Sequence, residues 1–265
     1  MSASPAPDVR YGARPVPERG DGEVAATSVG AWSTSLTATY RTAPAVVAAV
    51  LPPPLVPAAE PTVKVSVSTV DLGGGRPPFG AGTFAVAARH GEHEGHYPLL
   101  MPMSSEQAVI GGRETFGEPK KLATIALDVD GDHVVGTVAR MGVTIITVEG
   151  TLGPELDPPP DEERLDFYLK FLRAPDGDGF DDDPWLVHCT RRTSTRSRRA
   201  VEGTVVLAES RFDPVIDLPV LGDVTITLSE RRTRQSGRLV ERVPAAAVAP
   251  FAHQRYDDPA PPRHD

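Results

Sequence analysis

The sequence Gly112-Arg113-Glu114-Thr115-Phe116-Gly117-Glu118-Pro119-Lys120-Lys121 combines reactive residue types, backbone-shaping residues and a following strand pattern. Two adjacent lysines sit behind a proline and open an alternating run, Leu122, Thr124 and Ala126 against Ala123, Ile125 and Leu127. A lysine at the mouth of a strand, walled in by apolar neighbours, is a candidate nucleophile. The demand on it can be sized. An ordinary lysine has a pKa of about 10.4, so roughly four in ten thousand are neutral at pH 7. Bringing that value to about 7 takes about 4–5 kcal/mol of bias against the ammonium. On an extended segment Lys120 and Lys121 point to opposite faces. Ammonium groups ~10 Å apart repel by only ~1–2 kcal/mol at an effective dielectric near 20. Burial moves a lysine by roughly 3–5 pH units. Desolvation of Lys120 is therefore expected to be the larger effect, with Lys121 secondary.

Gly112-Arg113-Glu114, then Gly117, then Pro119-Lys120-Lys121-Leu122-Ala123 resembles the signature of the acetoacetate decarboxylase family. That family is itself the standard example of an amine activated by a neighbouring cation or by desolvation. Tyr40-Arg41-Thr42 with Leu51-Pro52-Pro53-Pro54-Leu55 is similar to the family's early strand, helix and proline-rich exit. Thr204–Ala208 leading into Asp217-Leu218-Pro219-Val220 resembles its late region, so the likeness runs from Ser35 to Tyr256. It implies a mainly β, α+β chain: an antiparallel closed or cone-shaped barrel flanked by short helices. It also implies a homo-oligomer in which Lys120 forms a Schiff base with a small-molecule keto acid, without metal or organic cofactor. Tyr256 falls where relatives carry a C-terminal tyrosine that reaches the pocket.

The chain departs from the family pattern in a way that bears on substrate. The resemblance calls for an arginine from the first strand and two glutamates from the next strands. No arginine occurs between Gly20 and Tyr40, and no glutamate between Glu60 and Glu92. Ser33, Ser66 and Phe84 fall near those roles, which marks a divergent member. Decarboxylation through an imine needs mainly the protonated imine as electron sink and a desolvating site. Pyruvate-type aldol and dehydration chemistry, known in the same superfamily, also needs acid–base groups such as Glu118, Glu114 or Tyr256. Phe116, four residues before Lys120, suggests an apolar pocket instead. A non-catalytic small-molecule-binding barrel is a third possibility.

Around the lysines, Arg113 and Glu114 serve either as a carboxylate anchor and an acid–base group or as a pair bracing the loop. Glu118, two residues before Lys120, projects toward the same face of an extended segment. His90, His93 and His96 with Glu92 and Glu94 invite a metal hypothesis, but Gly91 and Gly95 favour a solvated hairpin turn. The acidic run from Asp176 lacks a calcium loop's closing glutamate. The basic run Arg191–Arg199, without interleaved aromatics in an acidic chain, reads as a solvated loop or subunit contact. Cys189 reads as buried and inert.

Composition sets outer bounds. In 265 residues, 40% are apolar, enough for a core, while 28 prolines and 24 glycines favour short strands and turns. A net charge of −9 argues against nucleic acid as partner, and a single cysteine against an intrachain disulfide. No signal-like segment opens the chain, and the apolar run Ala43–Leu55 is too short and proline-rich to span a membrane. A cytoplasmic location is expected. Residues 1–30 read as a flexible arm, 31–257 as a single domain and 258–265 as a flexible tail.

Alternation predicts strands over Ser35–Tyr40, Thr62–Val70, Ala81–Ala88, Tyr97–Met103, Leu122–Val129, Val134–Arg140, Val143–Val148, Leu165–Leu172, Trp185–Thr190, Val201–Ala208 and Val224–Leu228. Short helices are expected over Ala43–Leu51, capped by Thr42, and from a Ser104/Gln107 capping box to Ile110.

Overall fold

The computed structural model describes residues 10–14, 32–73, 75–177 and 179–262, so most of the expected arm lies outside the described residues. The chain runs β1 (Ser33–Arg41), α1 (Pro44–Val50), β2 (Val56–Pro57), β3 (Thr62–Val70), β4 (Phe79–His90), β5 (His93–Met103) and α2 (Glu106–Phe116). It continues with β6 (Lys120–Leu122), β7 (Thr124–Asp130), β8 (His133–Arg140), β9 (Val143–Glu155), β10 (Glu162–Lys170), β11 (Trp185–Leu207), β12 (Leu221–Arg242) and α3 (Ala245–Val248). It is thus mainly β with few short helices. None of these helices is long and apolar enough to cross a membrane.

The pairing order β10-β5-β4-β3-β1-β12-β11 returns on itself, because β11 also pairs with β10. Beyond β11 the sheet continues through β9, β8 and β7. Period-two alternation gives each strand of the circuit two different faces. On β3, Val63, Val65 and Val67 are fully buried in the main core. On β1, Leu36, Ala38 and Tyr40 do the same, and Ile146, Val148, Val134 and Val138 of β8 and β9 complete that core from the folded-over extension. Each of the valine, leucine and isoleucine side chains among them contributes about 1.5–3 kcal/mol relative to exposure. Gly136 allows the close approach, since a Cβ there would sit 2.9 Å from Val67 Cβ. The opposite faces of the same strands carry Ser33, Ser35, Lys64, Ser66 and Ser68, and these line an internal cavity.

Several local expectations are corrected. The sheet is not wholly antiparallel, because β5 pairs in parallel with β6 and with β10. Thr42 does not cap α1. Ala43 holds that position and Pro44 begins the helix, where its missing N–H removes one of the donors a cap would serve. For α2 the cap is Ser105, which accepts from Ala108 N–H, while Ser104 instead accepts from Gly80 N–H at 2.8 Å. That helix runs through Gly112-Arg113-Glu114 to Phe116 and stops at Gly117, whose φ of 79° is the left-handed turn glycine adopts freely. The basic run is not a loop. Arg191–Arg199 lies inside the continuous 23-residue β11, where intervening Thr and Ser residues fit a paired strand. The histidines flank a tight turn on β4 and β5. His90 Nδ1 lies 2.9 Å from His188 Nε2 and His90 Nε2 lies 2.9 Å from Glu241. Within the expected tail, Asp258 pairs with Arg173 and Ala260 N–H donates to Arg211 O.

The three-residue β6 is too short to hold itself. Its outward residue, Lys121, is buried and donates to Asp213 Oδ1 at 3.0 Å and to Tyr256 O at 2.8 Å. Arg140 Nε binds the other oxygen of Asp213 at 2.6 Å, and Asp257 approaches both cations. Removing Asp213 leaves two buried cations short of a partner, a change that costs about 3–5 kcal/mol. We expect Asp213→Asn to lower unfolding stability by about that amount in denaturant titrations.

Candidate active site

Lys120 owes its direction to the elements on either side of it. Gly117 N–H closes α2 on Arg113 O at 3.1 Å, and Lys120 N–H donates to Glu118 O at 2.8 Å across Pro119. The parallel register with β5, Met101 beside Lys120, then turns Lys120 inward and Lys121 outward. Arg113 braces the arrangement by donating to Lys120 O at 3.1 Å and Arg255 O at 2.7 Å. Lys120 Nζ lies 2.8 Å from Glu118 Oε2, and the Glu118 side chain is fully buried. Arg191 Nη2 donates to the other Glu118 oxygen at 3.0 Å and to Tyr168 Oη at 2.7 Å, and its Nε is paired with Asp166. Burial opposes ionisation of Asp166, but Arg191, then Arg164 and His96, outweigh it and hold the carboxyl below the usual range. Gly112 leaves the space for this cluster. A Cβ there would stand 2.1 Å from Glu118 Oε2 and 2.6 Å from Lys120 Nζ.

Lys120 sits between two spaces. Outward lies an opening of about 610 Å3 lined by Phe79, Ala108 and Phe116 among others. Inward lies a cavity of about 150 Å3. The inner cavity is lined by five cationic side chains, Lys64, Lys120, Arg164, Arg191 and Arg231, and by hydroxyls of Ser33, Ser35, Ser66, Ser68, Thr83 and Thr233. No carboxylate lines it among the described residues, because Glu118 and Asp166 stand behind its wall. Burial, then Arg164 and Arg231, bring the Lys64 pKa down to about 7. Burial, then Arg164 and Arg191, bring Arg231 down to about 10, still charged at neutral pH. His96 is lowered to about 4, first by burial and then by Lys64, so it is neutral. No group of three or more His, Cys, Asp or Glu among the described residues is arranged to hold a metal.

Of the residues singled out from sequence, Lys120 and Glu118 meet at the cavity, and Phe116 walls the outer opening. Ser33 and Ser66 face the inner cavity as well. The others stand elsewhere. Lys121 is committed to its carboxylates on the far side of β6, so it does not face Lys120. Phe84 points into the main core, and its neighbour Thr83 faces the cavity instead. The Tyr256 ring lies under Arg173, with the guanidinium 4.0 Å from its centroid, and does not line the cavity. Glu114 is exposed and lines a separate surface depression with Arg113. The site residues missed from sequence are Lys64, Arg164, Asp166, Tyr168, Arg191 and Arg231. Lys64 lies in plain alternation, Val63-Lys64-Val65, which reads equally well as a solvent-facing strand. Arg191 belongs to a basic run that reads as solvated, yet it turns inward while Arg192 turns out to Glu163.

A family model described as "Acetoacetate decarboxylase (ADC)" matches residues 13–243. An acetoacetate decarboxylase from Burkholderia vietnamiensis is 32% identical over 207 residues, covering 72% of this chain and 82% of that relative. The fold is similar to an acetoacetate decarboxylase from Legionella pneumophila, with a TM-score of 0.72 at 21% identity over 91% of this chain and 99% of the other. It is also similar to the enduracididine biosynthesis enzyme MppR complexed with pyruvate, with a TM-score of 0.66 at 17% identity, covering 80% of this chain and 91% of the other.

Two outcomes follow from the geometry. Gly112→Ala should displace Glu118 and Lys120 and lower turnover by at least about tenfold, while costing only about 1–3 kcal/mol of stability. Comparing steady-state rates with thermal melts separates the two effects. For Lys64, the folded pKa of about 7 lies below that of an unfolded lysine. The unfolded chain therefore binds more protons between about pH 7 and 10, and stability attributable to this group rises with pH over that window. Lys64→Met should raise the melting temperature at pH 6 and change it less at pH 10.

Proposed function

Because this chain belongs to the acetoacetate decarboxylase family, we propose that it is a carbon–carbon lyase that decarboxylates a keto acid through an imine on Lys120. The observation that carries this reading is Lys120 Nζ at the cavity mouth, 2.8 Å from the buried carboxylate of Glu118. That distance lets Glu118 take the proton that the amine must lose before it attacks. The amine adds to the ketone carbon, and loss of water gives a protonated imine. The bond to the carboxylate carbon then breaks, CO2 departs, and its electron pair moves into the imine as an enamine. Protonation at carbon and addition of water release the ketone and restore Lys120.

Desolvation of the reacting end is supported by Met101, Met103 and Phe116, which are buried beside Lys120. The circuit of strands is read as a cone-shaped barrel shielding that end from water, a reading supported by the β10–β11 pairing that completes it. Decarboxylation is preferred over aldol condensation and dehydration because the latter needs more acid–base groups. Glu114 is exposed and Tyr256 faces Arg173, which leaves Glu118, of these three groups, beside Lys120.

Incubation with a panel of keto acids followed by borohydride reduction should leave a mass adduct on the peptide bearing Lys120, and none in Lys120→Ala. No adduct from any of them would sink the imine mechanism. An adduct without CO2 release would favour a binding barrel.

A further inference from the structure

The cavity beneath Lys120 is more cationic than a mono-acid requires. Arg191 is balanced by Asp166 and Glu118, and Lys120 by Glu118. Arg231 donates through Nε to the Ser35 hydroxyl at 3.0 Å and has no carboxylate within ion-pair distance among the described residues. Lys64, on the polar face of β3, likewise has no ion-pair partner there. Arg164 reaches Asp166 only at 3.5 Å, and its buried Nε has no hydrogen-bond acceptor. Buried cations are normally matched by anions, because a lone charge taken from water is costly. Cations left unmatched around a cavity therefore mark where an anionic ligand group sits.

That group is poorly suited to being the carboxylate that leaves. In decarboxylation the leaving carboxylate loses its charge as CO2 forms, so cations holding it stabilise the ground state more than the transition state. Cations holding a carboxylate that persists into the product carry no such penalty. They convert binding energy into positioning of the reacting end at Lys120.

Taking the imine reading as its premise, we propose that the substrate is a keto dicarboxylate, with its non-reacting carboxylate held in the inner cavity by Arg231, Lys64 and Arg164. The reacting ketone and its β-carboxylate then lie at Lys120, beside the apolar opening. The product of the same bond-breaking sequence is a keto monocarboxylate plus CO2. The cavity, of about 150 Å3, has room for a short aliphatic acid arm. Lys64 is faced by Arg164, Asp166 and Glu162 from β10, Arg231 from β12 and His96 from β5. A bound carboxylate favours its ammonium form, so binding takes up a proton and weakens as pH rises above about 7.

The test compares 3-oxoadipate, which would yield 4-oxopentanoate and CO2, with acetoacetate, both corrected for spontaneous loss of CO2. The expected result is a kcat/KM at least about tenfold higher for the dicarboxylate. Arg231→Met should raise KM for 3-oxoadipate by about tenfold to a hundredfold and impair acetoacetate less, so that the preference for the dicarboxylate narrows. Equal or better use of acetoacetate by the wild-type protein would overturn the proposal, whether or not the variant folds. Glutarate, which has no ketone and forms no imine, provides the separate control. Calorimetric binding of glutarate that depends on Arg231 and falls between pH 6 and 9 supports the dianion site even if no keto acid is trapped. Absence of glutarate binding together with no preference for 3-oxoadipate refutes it.

Discussion

A single buried carboxylate holds the interior together. Glu118 takes Lys120 on one oxygen and Arg191 on the other, joining the start of β6 to the middle of β11, positions 71 residues apart in the chain. Lys120 has no other ion-pair partner among the described residues, and the buried carboxylate would not be stable without its two cations. Arg191 passes the constraint on to Asp166 and Tyr168 of β10, where the circuit of strands is completed. Lys120 is thus fixed by the same contacts that fix the sheet. Gly112 contributes by omission, leaving room where any side chain would push the pair apart.

The apolar faces of the strands were legible in the sequence. The strand Thr62–Val70 is legible to the residue because Val63, Val65 and Val67 alternate without interruption. The lysine motif and its family resemblance located Lys120. The meaning of the polar faces was not legible. Alternation states that Lys64, Ser66 and Ser68 oppose the valines, but not whether that face meets water or an internal space. In a sheet whose pairing returns on itself, the polar face of β3 turns inward. The same ambiguity concealed Arg231, which lies in a basic stretch of β12 that looks solvated when read alone. Its inward placement follows from a cross-strand pairing with Ser33 that no local signal announces.

The departure from the family pattern also looks different in three dimensions. The first strand carries no arginine, yet Arg231 on the neighbouring β12 reaches the Ser35 hydroxyl and fills that side of the cavity. Where glutamates were anticipated, Ser66 and its neighbours stand, and a lysine has joined them on β3. Read as a list of missing residues, the cavity looks stripped; read as a surface, it is lined by Lys64, Arg164 and Arg231 as well as by Lys120 and Arg191.

The network behind β6 has a bearing on biosynthesis. Lys121 is held by Asp213 and by Tyr256 O and Asp257, which lie near the C-terminal end of the sequence. A chain emerging from the ribosome presents β1 through β11 before those anchors exist, since synthesis proceeds from the N-terminus. The strand that carries Lys120 is therefore anchored on its Lys121 side only after β1 through β11 have been made.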